Sequence, residues 1–154
     1  MTRLQRRRRL AHELIALALG GEEIVQIRGR DLRMILARLI AEQHTAAWVM
    51  GVRSRPPLQH QFCAATGARV CLSPSSPYRL REVVIDETET FRLGELRLTT
   101  PLRTAVDIAR TSPTFDAADR DVVAALMRLW GFGAEDCLLA MNKRRNLPQK
   151  RAAF

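Results

Sequence analysis

Residues 80–110 read LREVVIDETETFRLGELRLTTPLRTAVDIAR, and this stretch decides the fold. LREVVID and TFRLGELRLTT carry the alternating, β-branched pattern of short strands. Leu93-Gly94-Glu95 predicts a tight reversal within the second. The acidic run Asp86-Glu87-Thr88-Glu89 between them reads as a turn rather than a cation site. Beyond it the apolar period lengthens to that of a helix. Thr100 offers a capping hydroxyl, and Pro101 suits the first helical position, where no N–H donor is needed. Leu102, Ala105, Val106 and Ala109 are expected to form the buried stripe. Arg103, Asp107 and Arg110 fall three and four residues apart on the polar side, close enough to pair. Cap and ion pair explain every residue in the stretch; a catalytic or binding use of the same charges stands as the rival reading.

Outward from this stretch, helices are expected at Asp116 to Trp130 and Ala134 to Arg145. Upstream, QHQFCA and ARVCL read as further strands, and SPSSP (73–77) as a loop. TAAWVMG predicts a short helix ended by Gly51. Before it come a helix over Arg3 to Leu19, stopped by Gly20-Gly21, and a strand at Glu23 to Arg28. A second amphipathic helix, capped by Asp31, would carry Leu32, Ile35, Leu36, Leu39 and Ile40 on one face. The expected class is α+β: N-terminal helices, a small mainly antiparallel sheet in the middle, and C-terminal helices. The 154 residues fit a single domain.

The net charge of +9 is unevenly placed. Residues 1–10 hold five arginines, Arg6, Arg7, Arg8 and Arg9 among them, and no acid. Residues 143–154 hold Lys143, Arg144, Arg145, Lys150 and Arg151, again without an acid. The remainder is close to neutral, so contact with DNA or RNA phosphates driven by net charge belongs to the two ends. The bland reading is a pair of solvated basic segments. Arginine outnumbers lysine 23 to 2, which favours bidentate phosphate binding but equally suits a GC-rich coding sequence. Arg28, Arg30, Arg33 and Arg38 around the second helix read first as a solvated face.

Three cysteines, Cys63, Cys71 and Cys137, form no CxxC pair and suit reduced thiols in the cytoplasm. His60 and Cys63 would point to opposite faces of a strand, so no metal site is read. His12 and Glu13 interrupt the apolar run after the first arginines, favouring an amphipathic helix over a secretory leader. No run approaches a membrane span, and no cofactor fingerprint is present.

The decisive stretch also resembles a known family. LREVVIDETETFRLGELRLTTPLRTAVDIAR is similar to the strand–strand–helix signature of AbiEi-type antitoxins of type IV toxin–antitoxin and abortive-infection systems. QHTAAWVMG (43–51) resembles the element that precedes the sheet in those proteins, and KRRNLPQKRAA (143–153) resembles their closing basic stretch. The match covers about residues 43–153, and Thr100, Pro101, Arg103, Thr104 and Asp107 fall on the family motif. The resemblance implies a bacterial antitoxin domain without catalytic residues, functionally linked to a nucleotidyltransferase-like toxin and to regulation at its own promoter. Full-length members open with a winged helix. Residues 1–42 read helix, strand, helix, too little for that module, so promoter recognition does not carry over.

Three functional classes follow. The first is a non-enzymatic antitoxin-like regulator contacting nucleic acid through its arginine-rich ends. The second is a protein–protein module acting through a homodimer or another partner; Trp130 and Phe132, beside Gly131 and Gly133, would be either its exposed knob or core residues closing a helix corner. An enzyme ranks last, for want of a nucleophile elbow, phosphate loop or metal cluster.

Overall fold

A computed structural model of the chain describes residues 38–68, 78–94 and 96–145. It divides into two compact units, residues 1–100 and 101–154. The first holds β1 (Ile40–Ala41), α1 (Gln43–Val49), β2 (Gln61–Ala65), β3 (Arg79–Val83), β4 (Thr90–Leu93) and β5 (Leu96–Thr99). The second holds α2 (Pro101–Thr111), α3 (Ala117–Trp130) and α4 (Ala134–Arg145). Helices and one sheet make the class α+β, as the sequence predicts.

The sheet runs in the order β3-β2-β1-β5-β4. It is mixed: β1–β2 and β4–β5 pair antiparallel, β1–β5 and β2–β3 parallel. The expected antiparallel pairing thus holds for half the ladders. Alternation along a strand reports which residues share a face but not the direction of the neighbouring strand, so this difference left no mark in the sequence. The β4–β5 hairpin turns at Gly94, whose φ of +68° is open to glycine at no steric cost.

The central strand β1 is the larger surprise. Ile40 was expected on the second helix, but it pairs with Cys63 on one side and Arg97 on the other. Arg38 is still helical, and the change to strand comes two residues later. Leu39, Ile40 and Ala41 are apolar in succession, which suits a strand buried on both faces as well as a helix stripe. The rest of the second helix, the first helix, the strand at 23–28, ARVCL and the loop at 73–77 lie outside the described residues.

Two registers define the sheet's faces. One row runs Leu80, Phe62, Ala41, Leu98, Phe91; the next runs Arg81, Cys63, Ile40, Arg97, Arg92. Side chains alternate, so the first row is the apolar face and the second brings arginines to both flanks of the other. Phe62 and Leu98 are almost wholly buried, each contributing about 1.5–3 kcal/mol of apolar burial.

In the second unit, α3 begins at a capping box. Asp116 Oδ1 accepts from Asp119 N at 2.9 Å, and Asp119 Oδ2 accepts from Asp116 N at 3.1 Å. It ends at Gly131 in the left-handed conformation. Phe115, just before it, has φ +34°, and its N–H is held by Ser112 Oγ at 3.2 Å.

Candidate functional site

On α2 the motif residues close upon one another. Pro101 is the first helical residue, as expected. The N–H of Thr100 donates to the Glu89 carbonyl at 2.9 Å, tying the helix entry to the turn before β4. Arg103 Nε donates to Asp107 Oδ2 at 2.8 Å, and both side chains are 4% exposed. Thr104 between them is fully buried. The expected geography of this helix needs correction. Burial covers six consecutive residues, Arg103 to Ile108, while Ala109 is exposed and Leu102 only partly buried. A buried run longer than one helical turn encloses the whole circumference, so depth here depends on position along the axis rather than on one face. The ion pair lies inside that run, not on a solvated side.

The acidic run is similarly occupied. Asp86 Oδ1 accepts from Thr88 N at 2.8 Å, and Glu89 Oε2 accepts from Asp86 N at 3.2 Å, a capping box over the short 3-10 turn Glu87–Glu89.

Of the basic residues singled out in the sequence, Lys143 is exposed on α4, and Arg144 and Arg145 form the end of that helix. Arg6, Arg7, Arg8, Arg9, Lys150 and Arg151 lie outside the described residues, as do Arg28, Arg30 and Arg33. Arg38 is half-buried and donates to the Ala68 carbonyl at 3.1 Å, so it is not part of a solvated face. The sheet supplies basic groups that the sequence did not single out. Arg79 and Arg92 are exposed and Arg97 half-exposed, with Arg92 directly opposite Arg97 across β4–β5. Arg97 Nη2 reaches Thr90 Oγ1 at 3.2 Å. The signal was available in the hairpin: two residues flanking the Leu93–Leu96 pair must face each other once the reversal is placed.

The richest polar constellation in the first unit also went unforeseen. Glu42, 1% exposed, accepts from Arg81 Nε at 2.8 Å and Nη2 at 2.7 Å in a two-pronged ion pair. Gln43 Nε2 donates to Glu42 Oε1 at 3.2 Å, and Gln61 Nε2 donates to Gln43 Oε1 at 3.3 Å. Gln61 Oε1 in turn accepts the His44 N–H at 3.1 Å, holding the first turn of α1. Gln43 opens that helix at φ +50°, a conformation this network secures. Thr45 Oγ1 accepts the Gln61 N–H at 2.8 Å and lies 3.3 Å from His60 Nδ1. His60 is packed among Trp48, Phe62 and Tyr78, with ring centroids 5.6–6.5 Å away. Burial pushes its pKa below the usual 6.5. His60 and Cys63 do not converge, and among the described residues no three His, Cys, Asp or Glu side chains gather to hold a metal. The bonds of this cluster run between Glu42, Gln43, His44 and Thr45 on one side and Gln61 and Arg81 on the other, so it orders α1 against β2 and β3.

No protein-family model, curated protein or solved structure matches the chain. Among the described residues, no helix is long and apolar enough to cross a membrane.

Proposed function

We propose that the chain is a non-enzymatic, antitoxin-like regulator of the AbiEi kind that contacts nucleic-acid phosphates. The observation that carries this reading is the arginine pair of the β4–β5 hairpin. Like charges directly opposite on neighbouring strands, with Cβ atoms about 5 Å apart, repel one another, and a bound phosphate removes that cost. Arg79 lies on the other flank of the same face, and the segments 1–10 and 143–154 add ten basic residues and no acid to the chain. The buried Arg103–Asp107 pair supports a scaffolding role for the family motif, since its charges are engaged with each other. A nucleotidyltransferase-like toxin encoded nearby would be the functional counterpart.

The test is a salt series of binding to the chain's own promoter duplex and to a scrambled duplex. Each phosphate contact contributes about 0.9 to the slope of log affinity against log salt. Arg92→Gln/Arg97→Gln is therefore expected to flatten the slope by about 2. A preference for the promoter that survives physiological salt supports regulation, and equal binding to both duplexes reduces the reading to generic phosphate contact. Absence of binding at low salt refutes it.

A further inference from the structure

Helix α4 carries two leucines in water. Leu138 and Leu139 are 58% and 61% exposed, although Cys137 beside them is buried. At the end of the preceding helix Leu129 and Trp130 are also exposed, at 62% and 43%. Charge on α4 is segregated: Glu135 and Asp136 stand in its first turn, Lys143 near its end. Residues three and four apart share a helix side, so Glu135, Leu138, Leu139, Asn142 and Lys143 line one stripe.

The order along that stripe is acid, leucines, base. Glu135 lies four residues before Leu139 and Lys143 four residues after it. Turned end for end about Leu139, the stripe meets its own complement: Glu135 falls on Lys143, Leu139 on Leu139, and Leu138 on Ala140. Self-complementarity of this kind is what a two-fold interface between identical chains demands. We propose that α4 pairs antiparallel with α4 of a second copy of this chain, about a two-fold axis at Leu139, with Glu135 of each copy facing Lys143 of the other. The leucines supply apolar burial and the charges set direction: a parallel pair would place acid on acid and base on base. The dimer forms and dissociates with concentration.

The experiment is light-scattering mass of the full chain across a dilution series, with helix content followed by circular dichroism. The wild-type mass rises with concentration toward twice the 17.4 kDa of one chain. Leu138→Glu/Leu139→Glu holds the mass at one chain with helix content unchanged. Glu135→Lys and Lys143→Glu each weaken pairing by about fivefold, and the double exchange Glu135→Lys/Lys143→Glu restores it. A wild-type chain that remains at 17.4 kDa throughout overturns the proposal and leaves the leucines to a different partner. A double exchange that pairs no better than either single overturns the antiparallel register.

Discussion

At the scale of single residues, the buried Arg103–Asp107 pair and His60 carry the strongest energetic statements. Removing one member of a buried pair leaves the other charge unpaired, which costs about 3–5 kcal/mol. Arg103→Ala or Asp107→Ala should lower the free energy of urea unfolding by that amount. Arg103→Met/Asp107→Leu, which removes both charges and keeps the volume, should be close to neutral; an equal loss from the double change would show that packing, not pairing, is at stake. His60 gives a pH dependence of known sign. Its folded pKa lies below 6.5, so as pH falls the unfolded chain takes up the proton first. Its contribution is fully present above about pH 6.5 and is lost as pH falls through the folded value. Unfolding curves between neutral and mildly acidic pH should lose part of their slope in His60→Gln; an unchanged slope would mean that the imidazole titrates alike in both states.

At the scale of elements, punctuation was legible and pairing was not. Pro101, Asp116, Gly94 and Gly131 each mark a boundary that the structure keeps, because a fixed φ, a capping carboxylate or a left-handed turn is a local requirement that one residue meets. The cap at Gly131 allows a direct measurement. Apart from its two chain neighbours, nothing lies within 4 Å of where a β-carbon would sit, so the cost of Gly131→Ala is conformational. It should amount to about 1 kcal/mol of unfolding free energy, and less for Gly131→Asn, which tolerates that conformation better. A larger loss in Asn than in Ala would point to a packing role instead. What the sequence concealed was non-local. Glu42 looks like one acid at a helix edge until β3 delivers Arg81 from 39 residues away. The buried pair on α2 obeys the helix spacing expected of it, yet its depth depends on surroundings that no periodicity encodes. Exposure of Leu138 and Leu139 was hidden likewise, since leucines inside a helix ordinarily mark a core face.

At the scale of the whole molecule, the facing arginines Arg92 and Arg97 lie on the sheet of the first unit, and Leu138 and Leu139 on the last helix of the second. Nucleic-acid contact at the sheet and self-association through α4 are tested apart by Arg92→Gln/Arg97→Gln on the salt slope and Leu138→Glu/Leu139→Glu on the mass; Lys143 belongs to both readings. If both hold, a two-fold dimer carries two copies of the basic sheet. The sheet itself has a narrow waist. β1 contributes two residues, and each is paired on both sides: Ile40 to Cys63 and Arg97, Ala41 to Phe62 and Leu98. Ala41 has no exposed surface at all, and its neighbours in the row are an aromatic ring and a leucine. Seen as a question of heredity, substitution has little room here. A side chain larger than a methyl group at residue 41 would press on partners on two strands at once, so inheritance at this position is held by packing, whereas at the arginines of the hairpin it is held only by what they bind.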